Sequence, residues 1–188
     1  MPTNLDAVDR TLGEFRAYLE TLTIIQVDPR LRSRFGFSDV VQITLVEAWQ
    51  DFEHIQGLDD AGRKRWLRRM LVNNLLQEIE KHRAGRRDVG RERPVETAAD
   101  ESSSRLQGWL AGEDKSPSEH LVAQEKSLQL LEALSKLDPR QREALILQKY
   151  HGWTLAQIAE HVGCTPGAVA GLHARGLEKL RQLLPNME

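Results

Sequence analysis

The chain has 188 residues, 26 Lys+Arg against 28 Asp+Glu and a formal net charge of -2, a length that allows one medium domain or two small ones. With 5% aromatic and 29% charged residues, and Leu, Ala, Glu, Arg and Gln dominating the text, it favours helix over strand and argues against an all-β sandwich. Its single cysteine, Cys164, excludes an intrachain disulfide framework and a cysteine-built zinc site. No apolar run approaches the roughly 20 residues of a spanning helix and no signal-peptide pattern opens the chain, so a soluble, cytoplasmic protein is expected.

Leu5, Val8, Leu12, Phe15, Leu19 and Leu22 alternate steps of three and four, which places an apolar stripe along a first helix ending before Pro29. A second stripe, Val41, Leu45, Ala48, Trp49 and Phe52, follows Ser38, a suitable N-cap for a helix over about 39–52. After a loop containing Gly57 and Gly62, the residues Trp66, Leu67, Met70, Leu71, Leu75 and Ile79 predict a third helix reaching about Arg83, basic on its outward face. Residues 63–93 hold 11 basic and 4 acidic side chains, a net of +7, between acidic stretches on both sides. Such clustering points to a polyanionic partner; the competing reading is a solvated helix face with a basic tail.

From Ala84 to Lys115 the apolar period fails, with only Leu106, Trp109 and Leu110 scattered through Gly, Arg, Ser, Glu and Asp, and a flexible interdomain linker is expected. Four helix starts follow. Ser116-Pro117-Ser118-Glu119 is a capping box with proline at the first helical position, Asp138-Pro139-Arg140-Gln141 repeats it, Thr154-Leu155-Ala156-Gln157 repeats it without proline, and Thr165-Pro166 opens the last helix. These predict helices near 117–136, 139–150, 155–162 and 166–184, with Gly152 and Gly163 at left-handed C-caps.

Residues 154–177 have the spacing of a helix-turn-helix, with Ile158, Ala159, Val162, Val169 and Leu172 placed to pack the pair. Thr165 caps the helix that would enter a major groove. Its outward positions Gly167, Ala168, Ala170, Gly171 and Ala174 carry no hydrogen-bonding side chains, leaving His173, Arg175 and Lys179 as polar tips. Base readout should therefore be sparse, with phosphate capture at the helix N-terminus and reading of groove shape taking its place. Packing of those small residues on another protein helix is the alternative.

Taken together these residues resemble a sigma-70 family factor of the extracytoplasmic-function type, with regions two and four and no region three, over almost the full length. Asp39-Val40-Val41-Gln42 followed by Ala48-Trp49 resembles the region 2.2 helix, and Trp66-Leu67-Arg68-Arg69 with Asn73 and Asn74 resembles the helix leading into promoter recognition. Leu137-Asp138-Pro139-Arg140-Gln141-Arg142-Glu143 and Gly152-Trp153-Thr154-Leu155-Ala156-Gln157-Ile158-Ala159 resemble the start of region four and its helix-turn-helix.

The resemblance implies an all-α chain of two small helical domains, 1–83 and 116–188, joined by a flexible linker over 84–115, the second domain carrying the helix-turn-helix. It implies a promoter-specificity subunit with bacterial RNA polymerase core and promoter DNA as partners, a regulator such as an anti-sigma factor as a further one, and no membrane insertion. Asp39, Gln42, Ile43 and Val46 would dock on the polymerase clamp. Arg63, Arg65, Trp66, Arg68, Arg69, Asn73, Asn74 and Lys81 would hold the downstream element and its separated strand, Trp66 being read either as a stacking residue or as core. Thr154, Thr165, Gly167, Ala168, Ala170, Gly171, His173 and Arg175 would meet the upstream element.

Two departures limit what carries over. Ala170, Gly171 and Leu172 stand where family recognition helices usually carry Lys, Ser and Arg, and the loop at about 53–63 lacks the usual pattern from which a base-capturing residue could be assigned. No catalytic residue, metal or cofactor is expected: the six histidines have no metal-ligand spacing, no glycine loop cradles phosphate, and no Ser or Cys stands in a nucleophile motif. The alternatives are a stand-alone helix-turn-helix regulator that binds duplex DNA as a dimer, and a helical adaptor for another protein.

Overall fold

The computed structural model describes residues 4–32, 36–51, 57–85 and 121–184, with residues 53, 55, 98, 101, 102 and 104–106 in addition. Its regular elements among the described residues are all helical: α1 (Asn4–Gln26), α2 (Pro29–Arg32), α3 (Phe37–Gln50), α4 (Asp60–Gly85), α5 (Leu121–Ser135), α6 (Pro139–Lys149), α7 (Leu155–Val162) and α8 (Pro166–Leu183). The chain divides into two compact units, Met1–Lys115 and Ser116–Glu188.

In the first unit α1, α3 and α4 pack on one another. Phe15, Leu19 and Leu22 of α1, Val41, Leu45 and Ala48 of α3, and Leu67, Leu71, Leu75 and Ile79 of α4 are buried. Each fully buried aliphatic side chain contributes about 1.5–3 kcal/mol relative to exposure, so this three-helix seam holds the unit together. Thr21, Thr23 and Thr44 are buried with it, and Thr23 and Thr44 return their hydroxyl protons to the carbonyls of Leu19 and Val40 at 3.0 and 2.8 Å. Burial is tolerated because each hydroxyl finds a partner within its own helix.

Two helix starts differ from the sequence expectation. Helix α3 begins at Phe37 with Gly36, not Ser38, as its N-cap. A Cβ on Gly36 would stand 2.7 Å from an Asp39 carboxylate oxygen, so the absent side chain leaves room for the carboxylate to fold over the helix N-terminus, where negative charge is favoured. Helix α4 begins at Asp60 and runs straight through Gly62, because the Asp59 carboxylate accepts from the Gly62 N–H at 2.8 Å and caps the helix from outside.

The expected linker also needs correction. Within 84–115, Ala98, Ser102 and Leu106 are buried, the Asp28 N–H donates to Ser102 Oγ at 3.0 Å, and Arg105 Nε donates to the Gln26 carbonyl at 3.1 Å. Ala98, Ser102, Arg105 and Leu106 are thus part of the first unit, with Ser102 and Arg105 bonded at the end of α1 and just beyond it. Sparse apolar periodicity hid it. Trp109, Leu110, the 116–119 capping box and the basic residues Arg86, Arg87, Arg91 and Arg93 lie outside the described residues.

In the second unit α8 packs on α5, α6 and α7. Ala144, Leu147, Ile158, Ala159 and Val169 form its core, with Trp153, Leu155, Val162, Cys164 and Leu172 partly buried against it. The expected capping chemistry is present. The Asp138 carboxylate accepts from the Arg140 and Gln141 N–H groups, and Thr154 and Gln157 cap each other reciprocally. Thr165 Oγ1 accepts from the Ala168 N–H at 3.2 Å. Gly163 has φ +67 and Gly152 φ +70, backbone conformations that cost an L side chain about 1–2 kcal/mol. One close approach was not legible in the text: a Cβ on Gly176 would stand 2.7 Å from Leu145 Cδ1, so glycine there sets the spacing of α8 on α6.

Candidate functional site

Helix α3 has two faces. Val40, Val41, Thr44, Leu45 and Ala48 are buried, while Asp39, Gln42, Ile43 and Val46 are exposed. Ile43 is 51% exposed, Val46 55% and Trp49 53%. Trp49, expected in the core, lies instead beside Ile43 and Val46. Four residues on an α-helix advance about 40° beyond a full turn, which carries Trp49 from the Leu45 edge of the core onto the rim. The result is a contiguous apolar stripe on an otherwise polar surface, the kind of feature that marks an interaction site. Asp39 and Glu47 are the only charged residues of this helix.

The polar side chains of the basic helix α4 differ in exposure. Arg65, Arg69, Asn73 and Lys81 are exposed, with Lys81 Nζ 3.6 Å from a Glu78 oxygen. Trp66 is half-buried. Arg63 is half-buried and donates from Nε to the Leu58 carbonyl at 2.9 Å, and Lys64 pairs with Asp60 at 2.6 Å.

Arg68 departs from expectation outright. It is 4% exposed and its guanidinium donates to the Tyr18 hydroxyl at 2.9 Å, tying α4 to α1. Asn74 departs too, for its amide donates to Thr44 Oγ1 at 3.1 Å and to a Glu47 carboxylate oxygen at 2.7 Å, tying α4 to α3. Both groups are thus engaged within the first unit.

In the second unit the helix-turn-helix is α7, the turn at Gly163 and α8. Thr154, Thr165, Gly167, Ala168, Ala170, Ala174 and Arg175 are exposed, and Gly171 is half-buried. A Cβ on Gly171 would stand 3.2 Å from an Arg175 guanidinium nitrogen. The arginine therefore folds back over the turn N-terminal to its own Cα, as helical side chains do, and the glycine leaves it that space. His161 Nε2 of α7 lies 3.4 Å from a Glu143 carboxylate oxygen of α6, and the ring stands edge-on to Trp153 with ring centres 5.3 Å apart.

His173 does not offer the outward polar tip that was expected of it. Its ring is half-buried and Nε2 is buried with no hydrogen-bond partner among the described residues. Burial lowers its pKa, and Lys149 of α6 lowers it further. In the pH range just below the ordinary imidazole value of about 6.5, the unfolded chain then binds more protons at this position than the folded one. Stability of the second unit should accordingly be lost as pH falls through that range. Thermal melts at a series of pH values check this, with His173→Gln expected to flatten the dependence; a melt whose slope is the same in both proteins rejects it.

Among the described residues no group of three or more His, Cys, Asp or Glu could hold a metal ion, and no helix is long and apolar enough to cross a membrane.

Comparison with known proteins adds to this geometry. Residues 127–180 match the family model for sigma-70, region 4, a span that contains the whole of α6, α7 and the turn and nearly all of α8. The ECF RNA polymerase sigma factor SigG of Mycobacterium tuberculosis is 30% identical over 192 aligned positions, covering 96% of this chain and 51% of that protein. SigL of the same organism, also an ECF RNA polymerase sigma factor, is 29% identical over 151, covering 79% of this chain and 75% of its own length. The RNA polymerase sigma factor CarQ of Myxococcus xanthus is 46% identical over 59, or 31% of this chain and 34% of CarQ. The chain spans about half the length of SigG.

Proposed function

We propose that the chain is a sigma-70 family factor of the extracytoplasmic-function type, as its region 4 match and its likeness to SigG and SigL support, and that it is a promoter-specificity subunit of bacterial RNA polymerase. It binds the core enzyme, recognises and helps to open promoter DNA, and directs initiation by binding rather than by catalysis, in the cytoplasm. The observation that carries the reading is the exposed Ile43, Val46 and Trp49 stripe on α3, edged by Asp39 and Gln42; among the described residues of the first unit no other large apolar side chain is exposed to that degree. Such a stripe is costly to leave in water and suits a stable protein partner. Duplex DNA, a polyanion, does not cover it.

In this reading α4 offers Arg65, Arg69, Asn73 and Lys81 to the separated strand, while α8 approaches the upstream duplex with small residues, the Arg175 guanidinium and its capped N-terminus. The domain division proposed is a first domain that includes the 98–106 stretch and a second from about residue 116. Purified chain mixed with core polymerase should co-elute on size exclusion and confer transcription from a matched promoter. Tight binding to palindromic duplex DNA as a dimer, with no co-elution, would instead identify a stand-alone helix-turn-helix regulator.

A further inference from the structure

Asn74 lies on the helix assigned to DNA, yet both protons of its amide are committed to the helix assigned to polymerase. One goes to Thr44 Oγ1 at 3.1 Å and the other to Glu47 Oε2 at 2.7 Å. The Thr44 hydroxyl gives its own proton to the Val40 carbonyl at 2.8 Å, so its lone pair is free to accept. The donors run from α4 into α3 along two arms, one ending on the Val40 carbonyl by way of Thr44 and the other on the Glu47 carboxylate. A bond to a charged acceptor is the stronger kind, and its buried arm at Thr44 cannot be exchanged for water at no cost.

Glu47 is half-buried and lies four residues beyond Ile43, about 40° away around α3, so it flanks the Ile43 edge of the exposed apolar stripe. Helix α3 contains no lysine or arginine, and Asp39 and Glu47 give it a charge of -2. A surface that combines an apolar stripe with two carboxylates, one of them held by Asn74, fits a partner that sets basic side chains around an apolar ridge. An unheld glutamate would have to be ordered when the partner arrives; one already held by Asn74 is not.

We propose that Asn74 is a positioning residue for polymerase docking, holding the Glu47 carboxylate at the edge of the Ile43, Val46 and Trp49 face to meet a basic group of the core enzyme. The inference rests on the reading that this face docks on polymerase. It also couples the two activities of the first unit, since a shift of α4 on binding DNA would move the amide that holds Glu47.

The test is affinity of the full chain for core polymerase at several salt concentrations, alongside thermal melts. Glu47→Gln keeps an acceptor for Asn74, and so keeps the bridge, but removes the charge; it should weaken binding roughly tenfold and reduce its salt dependence while the melt is unchanged. Asn74→Ala should weaken binding roughly three- to tenfold, and the double variant should bind no more weakly than Glu47→Gln alone, because the second change acts only through the first. Asn74→Asp sets a carboxylate against Glu47 and should weaken docking at least as much; thermal melts of both Asn74 variants, which must stay folded at the assay temperature, separate lost docking from misfolding. Simple additivity of the Asn74 and Glu47 effects overturns the proposal, as does wild-type binding by both single variants while Ile43→Ala with Val46→Ala binds weakly. If the apolar pair also binds as wild type, the docking reading itself fails, and this inference with it.

Discussion

Replacing Ile43, Val46 and Trp49 together by alanine is expected to lower affinity for core polymerase by two to three orders of magnitude without lowering the melting temperature of the chain. All three are about half exposed in the free protein, so docking can remove from water roughly half of each side chain's surface, and the tryptophan brings the largest share. At about 25 cal/mol per Å² of apolar surface, with an aromatic anchor near the centre, the loss amounts to about 3–4 kcal/mol of binding free energy. Their contribution to the fold is small, because surface substitutions away from caps and buried networks usually fall within about 0.5 kcal/mol. Reversing the charge at Asp39 with Gln42→Ala should weaken binding as well, but less, since rim charges act chiefly on association rate and salt dependence. Equilibrium binding to core enzyme, with circular dichroism melts of the same proteins, separates the two effects. A triple variant that binds as wild type means that polymerase docks elsewhere.

The second large effect concerns two neighbouring arginines with opposite roles. Arg69 is exposed, whereas Arg68 is 4% exposed and donates to Tyr18 at 2.9 Å. Arg68→Ala should therefore destabilise the first unit by about 2–3 kcal/mol, through loss of a buried hydrogen bond and of the packing of a long side chain. In a domain of this size that lowers the melting temperature by about 10 °C or more. Neutralising the exposed set Arg65, Arg69 and Lys81 should leave the melt nearly unchanged and flatten the salt dependence of promoter opening. Each lost phosphate contact removes about 0.7–0.9 from the slope, so the three together remove about two units. Opening assays with the reconstituted holoenzyme over a range of salt, beside thermal melts, decide the matter. Should Arg68→Ala flatten the salt slope and leave the melt alone, the burial described above does not govern its role.

The C-terminal unit was the more legible of the two because its signals are local. Asp138, Thr154 and Thr165 each cap the helix that follows within three residues, and Gly163 with Gly152 must adopt positive φ wherever the chain turns that tightly. Such devices are written into four or five consecutive residues, and they place α6, α7 and α8 without knowledge of what packs on them. The same locality explains why the outward row Gly167, Ala168, Ala170 and Ala174 was readable from periodicity alone. Gly176 was not, because what makes it a glycine is Leu145, thirty-one positions away, whose Cδ1 leaves no room for a Cβ.

By itself the sequence determined the helical class, the four exposed positions Asp39, Gln42, Ile43 and Val46, and the helix-turn-helix, since each follows from a repeat of 3.6 residues or from a cap. Tertiary structure decided which polar and aromatic side chains are available to partners. Periodicity ranks positions by angle around a helix axis, but the angle at which burial ends depends on what the neighbouring helices cover, and that is why Trp49 lies outside and Arg68 inside. Charge in the text likewise says nothing of where a guanidinium or an amide finds its acceptor. Arg68 finds Tyr18 fifty residues away, Asn74 finds Thr44 and Glu47 across a helix seam, and the Asp28 N–H finds Ser102 seventy-four residues on. Burial of a polar group is stable only where such a partner waits, and only the folded chain brings the two together.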